Sequence, residues 1–570
     1  MLTHSRANIP YRQRMGMIRA RCVLAVLVMG LSACTEPQQS DEAERTADIV
    51  ARIDSHCTDL NTPELGEGKL CIDNGFRVNT DDFRFSNWGR SPQADANVTV
   101  QTLVDLFGQN NVCAPTTRNE CILRPSILQK LEQWNTALAA GRCEGLATLS
   151  TRFFMKLDHP SSFRAGATSV IDLQRDDEAL EEAIVYWWAT QFLPEVADRA
   201  AASRQRTPLD LVDDLIIGLA NSVGYTVGMY FESSGHAVTP FAVTHRGNNL
   251  IIHVYDNNFP GQRREIFVND TTNTWTYPQA TQQRDGTWRD WTGGTGTLEL
   301  TPMSARKGPF RCTFCITNTD NPTTITVSSR DSEAAGYLYL TSRMGTIEAR
   351  PDGVINSIEG ATFSVSKGKT GGLLTVTLPD NLDDFDLTIR RVSDLVPAGD
   401  VVIGMQRPGE GLVQVSGDLA QDVISSNERS SPLMTIRQEK TTIRASQKNS
   451  ARVSVAAGDT ISRRLLSAGE SMLVTQTSPT SIEIALKGSN GYEFGEVPIQ
   501  LTPDGTTREI TLTVNQDGTI STTNTSVLPV KIASSPRINF TPGQAPVVTT
   551  STPQRPTPNT VPTIEISEPD

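Results

Sequence analysis

Gly141-Arg142-Cys143-Glu144-Gly145-Leu146-Ala147-Thr148-Leu149-Ser150 is the stretch on which the reading of the N-terminal half turns. A helix-forming run over residues 126–140 stops at Gly141. Behind the cysteine, Leu146, Leu149, Phe153 and Leu157 recur three, four and four residues apart, the spacing of one buried helix face. Cys143 therefore heads a helix. Free backbone N–H groups and the positive end of the macrodipole gather at that end, so a thiolate is stabilised and its nucleophilicity at neutral pH is raised. The competing reading of the same residue is a small buried hydrophobe, the usual fate of a free cysteine.

The start of the chain reads as an address. Arg6, Arg12, Arg14, Arg19 and Arg21 precede an apolar run over residues 22–33, and no acidic residue occurs before Glu36. The run is too short to span a bilayer as a stable helix and is expected to be a signal peptide. It ends in Leu31-Ser32-Ala33-Cys34, which resembles the lipobox of bacterial lipoproteins. That resemblance implies cleavage before Cys34, lipidation of Cys34 and export to the bacterial cell envelope. Thr35 in place of Asp favours the outer membrane if the cell is Gram-negative. Without residues 1–33 the chain carries 46 basic against 64 acidic residues, a net charge of −18. Nucleic acid is thereby disfavoured as a partner, and contact with the membrane is expected through the N-terminal lipid alone.

Nine cysteines stand at positions 22, 34, 57, 71, 113, 121, 143, 312 and 315. Two belong to the leader and the lipid, which leaves seven in an oxidising compartment, an odd number. Pairing sequence neighbours joins Cys57 to Cys71, Cys113 to Cys121 and Cys312 to Cys315 and leaves Cys143 free. It is one of 15 arrangements open to six cysteines. Cys312-Thr-Phe-Cys315 could also be half of a zinc site or a redox motif. No second CxxC or His pair lies nearby, so a disulfide is expected there, with no metal and no cofactor.

All seven Trp, six His and nine Cys precede residue 316. Beyond it come short alternating runs such as Thr323-Thr324-Ile325-Thr326-Val327 and Glu509-Ile510-Thr511-Leu512-Thr513-Val514, separated by turn signals such as Pro351-Asp352-Gly353 and Gln516-Asp517-Gly518. Short strands with no long helix indicate all-β sandwiches. The expected organisation is multidomain: a leader and lipidated cysteine over 1–34, a polar tether over 35–50, an α+β domain over 51–315, sandwich-like β domains over 316–430 and 431–535, and a Pro/Thr-rich disordered tail over 536–570. Within 51–315, residues 177–193 and 208–222 read as helices, the second capped by Thr207 with Pro208 in its first turn. Trp187-Trp188 reads as core, with a place in a substrate wall as the alternative.

A hairpin supplies the rest of the candidate chemistry. Ser234-Gly235-His236-Ala237-Val238 runs into a strand, Arg246-Gly247-Asn248-Asn249 turns, and residues 250–255 return to Asp256-Asn257-Asn258. A hairpin brings the start of its first strand beside the end of its second, hence His236 beside Asp256, Asn257 or Asn258. A base for the thiol and a group to fix its tautomer are what a cysteine nucleophile needs. His245 and His253, alternating with apolar residues on the same strands, are expected to face outward.

Taken together, Gly141-x-Cys143-x-Gly145-Leu146, Gly235-His236-Ala237-Val238 and Val254-Tyr255-Asp256-Asn257-Asn258 resemble, in content and order, the cysteine, histidine and third-residue motifs of papain-like cysteine peptidases. The resemblance spans about residues 126–261. It implies a papain-like fold for the N-terminal domain, with Cys143 as nucleophile, His236 as general base and acid, and Asp256 as orienting group, Asn257 and Asn258 being alternates. The family's oxyanion-hole Gln, six residues before the cysteine, is replaced by Ala137. The Cys143 N–H can supply one donor, and Asn135 and Gln133 are candidates for the other. The implied activity is hydrolysis of a peptide or isopeptide bond in a protein or peptide substrate through a thioester; acyl transfer to an amine would use the same residues. The alternative is an inactive papain-like scaffold in a surface-binding or adhesion lipoprotein, since a fold does not fix chemistry.

Overall fold

A computed structural model of the chain describes residues 38–532 other than 61, 90–96, 115–119, 233, 284, 316–321, 330–336, 351–352, 366–373, 391–400, 408–411, 418, 420–432, 438–439, 446–448, 458–459, 479–480, 491–492, 501–507, 516–518 and 527–529. The leader with Cys34 and the Pro/Thr-rich tail lie outside the described residues. The chain is mostly β, with eight α-helices among the described residues, all before residue 221. Within the 35–50 stretch read as a tether, residues from Gln38 onward form a helix that runs to Asp54. Asp41-Glu42-Ala43-Glu44-Arg45 contains several good helix formers and no Gly or Pro, which explains the helix.

The helix Cys143–Phe154 is the centre of the first half. Every residue from Cys143 to Phe153 is buried, so the run reads as helix by period yet is covered on all sides. One side meets the helix Glu178–Ala189. Gly145 permits that approach, because a Cβ there would overlap the carbonyl oxygen of Ile184. The other side is knitted to the strand Ser234–Arg246: Ser150 Oγ and Thr239 Oγ1 lie 2.7 Å apart, and Thr239 donates to the carbonyl of Ala147 at 3.1 Å. Trp187 and Trp188 are core, 1% and 0% exposed. The Thr207 hydroxyl caps Pro208–Ala220 as expected, accepting from the Asp210 N–H at 3.3 Å.

The sheet behind this helix has nine strands. Thr58–Asp59, Lys69–Asp73, Ser234–Arg246, Asn249–Tyr255, Arg263–Asn269, Thr274–Gln282 and Trp288–Gly293 follow one another, and Ser234–Arg246 also pairs with Tyr225–Phe231, which pairs with Leu298–Pro302. Disulfides join Cys57 to Cys71, Cys113 to Cys121 and Cys312 to Cys315. Cys143 is the free cysteine among the described residues.

Between residues 324 and 526 the described strands form two further nine-stranded sheets that share a single apolar core, including Ile325, Leu340, Ile403, Ile443 and Ile484. The separate sandwiches expected on either side of residue 430 are joined edge to edge. Leu412–Gly417 pairs with Ala451–Ala457, and Asp384–Arg390 pairs with Met434–Arg437, so both sheets run through the boundary. Open strand edges invite such continuation, which relieves each half of two unpaired edges. The helix Pro125–Leu138 lies against this region through side-chain hydrogen bonds: Gln129 to Ser454 at 2.6 Å, Gln133 to Gln414 at 3.2 Å and Thr326 to Gln133 at 2.9 Å.

Candidate active site

Gly141, at φ +136°, turns the chain out of the preceding helix and into Cys143. Arg142 precedes the helix without capping it through its side chain. The first backbone N–H groups of Cys143–Phe154 have no carbonyl within the helix to bond, and Cys143 sits among them. Its neighbour Glu144 is fully buried and is held by Arg306, also buried, and by the Thr226 hydroxyl at 3.2 Å. This pair pins the start of the helix from behind and keeps a carboxylate charge compensated one residue from the thiol.

The hairpin carries the other two groups. Gly247, at φ +62°, makes the turn. Ala242 pairs with His253, but Thr239 pairs with Tyr255 and Pro240 with Val254, so a bulge at Phe241 adds one residue to the first strand. A regular ladder continued from Ala242↔His253 would have set Asp256 opposite Thr239, on the face away from His236. The extra residue puts His236 and Asp256 on the same face. His236 Nε2 and Asp256 Oδ1 are 2.6 Å apart, and the Cys143 side chain is a further hydrogen-bond partner of the same imidazole. Asp256 is fully buried. It also accepts the Tyr277 hydroxyl at Oδ2 and the Asn258 N–H at 2.7 Å.

Burial pulls the His236 imidazole toward its neutral form. The charge and hydrogen bond of Asp256, together with those of Cys143, outweigh it and raise His236 from 6.5 to about 10. Burial conversely favours the neutral acid for Asp256. The His236 charge and the hydrogen bonds from His236, Tyr277 and the Asn258 N–H outweigh that, and the carboxyl is held below the ordinary range. Burial and the Asp256 charge push Tyr277 well above the ordinary phenol range, so it stays a hydroxyl donor. At neutral pH the arrangement is a carboxylate–imidazolium pair with the Cys143 side chain hydrogen-bonded to it.

Cys143, His236 and Asp256 thus come together. Asn257 takes a different part from that of an alternate to Asp256: its Nδ2 donates to the carbonyls of Cys143 at 3.1 Å and Ala237 at 2.8 Å, clamping the helix start to the histidine strand. Asn258 Nδ2 lies 3.3 Å from His236 Nε2. Gln133 and Asn135 do not reach the site. Gln133 is spent on Thr326, Gln414 and Lys130, and Asn135 bonds the backbone N–H and carbonyl of Val98 at 2.8 and 3.0 Å. Both sit on helix faces that turn to other neighbours, which a count back from the cysteine does not reveal. His253 and His245 were expected outside, and neither is. His253 is fully buried, 2.9 Å from Thr244 Oγ1, and burial with the nearby Arg263 and Arg246 lowers it to about 3. His245 bridges Asp54 at 2.7 Å and Asp270 at 3.1 Å. Apolar cores lie on both faces of that sheet, with Ile252 and Val254 in one and Phe241 and Tyr255 in the other, so alternation does not report exposure there.

Asn87 was missed. Its N–H donates to the Asn257 carbonyl at 2.7 Å, its Oδ1 accepts the Arg142 N–H at 2.8 Å, and its Nδ2 donates to Asn258 Oδ1 at 3.1 Å. It lies in a loop far upstream of the cysteine with no motif to mark it. Tyr277 and Arg306 were missed for the same reason, since only the folded chain brings them to Asp256 and Glu144. Among the described residues no group of three or more His, Cys, Asp or Glu side chains could hold a metal ion. Comparison of the chain with protein-family models, with curated proteins and with solved structures finds no match.

Proposed function

We propose that residues 51–315 form a papain-like α+β domain acting as a cysteine hydrolase on amide bonds of a protein or peptide, with Cys143 as nucleophile, His236 as proton carrier and Asp256 as its orienting charge. The observation that carries this reading is the double use of the imidazole: its Nε2 is bound to a buried carboxylate at 2.6 Å, and the ring is also hydrogen-bonded to the side chain of a free cysteine at a helix start. In the reaction the thiolate adds to the carbonyl carbon, His236 gives its proton to the leaving amine as the C–N bond breaks, and water attacking the thioester regenerates the thiol. The proposal includes export by the N-terminal leader, a lipid anchor at Cys34 and a place in the bacterial cell envelope, on the lipobox-like Leu31-Ser32-Ala33-Cys34.

A second reading, an inactive scaffold in a surface-binding lipoprotein, draws on one fact: Cys143 is only 1% exposed. A buried thiol without access to solvent is inert. Alkylation of the intact protein with iodoacetamide from pH 5 to 9, followed by mapping of the modified peptide, separates the two. The hydrolase reading expects alkylation of Cys143 well below the pH at which an ordinary thiol reacts, lost in His236→Ala. A Cys143 that stays unmodified at pH 9 refutes it.

A further inference from the structure

We propose that Asn87 Nδ2 is the second donor of an oxyanion hole whose first donor is the Cys143 backbone N–H. The assignment rests on the acyl-transfer reading of Cys143. Thiolate addition forms the C–S bond and moves the carbonyl electron pair onto oxygen. Collapse restores the carbonyl and expels the leaving group with the C–S bond intact. That oxygen needs two donors beside the sulfur, and the Gln sought before the cysteine is absent from the sequence.

Asn87 meets the requirement on four counts. The orientation of its amide is settled by chemistry, because a backbone N–H can only donate: the atom 2.8 Å from the Arg142 N–H is the oxygen, and the nitrogen is the other. That nitrogen is held between the two halves of the site. It donates one hydrogen to Asn258 Oδ1 at 3.1 Å, and Asn258 in turn lies 3.3 Å from His236 Nε2. A primary amide carries two such hydrogens, and the second meets no acceptor among the described residues. Space for the amide is left by Gly141, where a Cβ would stand 3.2 Å from Asn87 Nδ2. Asn87 is half-buried and so more accessible than Cys143, to whose neighbour Arg142 it is bonded. The Cys143 N–H belongs to the first helical residue and has no carbonyl within the helix to bond.

Two reagents separate this role from mere positioning, in the full chain and without a known substrate. Acylation by p-nitrophenyl acetate passes through an oxyanion: the Cys143 S–C bond forms, the ester C–O bond breaks and nitrophenolate leaves. Iodoacetamide alkylates the same sulfur by displacing iodide, and no charge develops on oxygen. In Asn87→Ala we expect acylation to fall by about 10²–10³ while alkylation is unchanged. Asn87→Asp keeps an acceptor for the Arg142 N–H but removes the donor, so its acylation, normalised to its alkylation, should fall likewise. Equal losses with both reagents, or none with either, would overturn the assignment and leave Asn87 a positioning residue or an idle one. A wild-type Cys143 that neither reagent modifies would instead overturn the hydrolase reading, and this assignment with it.

Discussion

The charge of Asp256 sets the protonation state of the site, and Asp256→Asn is the sharpest perturbation of it. The substitution keeps the size of the side chain and an oxygen for His236 Nε2 at the observed 2.6 Å, and removes the negative charge. Unit charges about 4 Å apart at an effective dielectric near 20 interact by about 4 kcal/mol, roughly a thousandfold in proton affinity. Together with the hydrogen bond of Asp256 and the contributions of Cys143, it carries an imidazole otherwise depressed by burial up to about 10. In Asp256→Asn the proton should therefore leave His236 near or below neutrality. The direct assay is proton NMR of the His236 ring from pH 5 to 11 in wild type and variant, with the iodoacetamide rate of Cys143 followed over the same range. Wild type should titrate near the top of the range and the variant several pH units lower, its thiol slow at pH 6. The sign for stability follows. A histidine raised by its partner stabilises the fold fully below its unfolded value of 6.5, and loses that contribution as pH climbs toward about 10. Wild type should thus lose more stability than the variant between pH 7 and 10. Equal titration of His236 in the two proteins would refute the reasoning, because the charge would then not be what holds the proton.

Other expectations concern the frame around the site. Gly145→Ala pushes a methyl group against the Ile184 carbonyl and should lower stability by about 1–3 kcal/mol or prevent folding, read by urea denaturation. Asn257→Ala leaves the buried carbonyls of Cys143 and Ala237 without their shared donor; a loss of about 1–3 kcal/mol is expected, with slower alkylation of Cys143. His253 is lowered to about 3, so the unfolded chain takes up its proton first as pH falls below 6.5, and stability present above that pH is lost on the way down. By pH 5 the cost is about 2 kcal/mol, and His253→Gln should flatten the acid limb of the stability curve relative to wild type.

Much of this was open to reading in one dimension. The 3.6-residue period behind Cys143 and Gly141 before it mark a helix start because those signals are local. Thr207 and Pro208 announce the next helix in the same way. The hairpin between His236 and Asp256 is local too, since a tight turn forces its strands side by side. Pairing sequence neighbours among the cysteines matches the bridges because short loops cost least to close. Tertiary structure decided the rest. The bulge at Phe241, which sets the face His236 shares with Asp256, depends on how the strand fits its neighbours, and its one local mark is Pro240, which has no N–H for the ladder. The fusion of the β halves into two continuous sheets is a matter of edges meeting, and alternation alone cannot say which edges meet. Asn87, Tyr277 and Arg306 reach the site across long sequence separations, where no periodicity reaches; the burial of His253 likewise depends on a second apolar layer supplied by other segments. Local pattern determined which elements form and which residues could react, and long-range packing determined which of them meet.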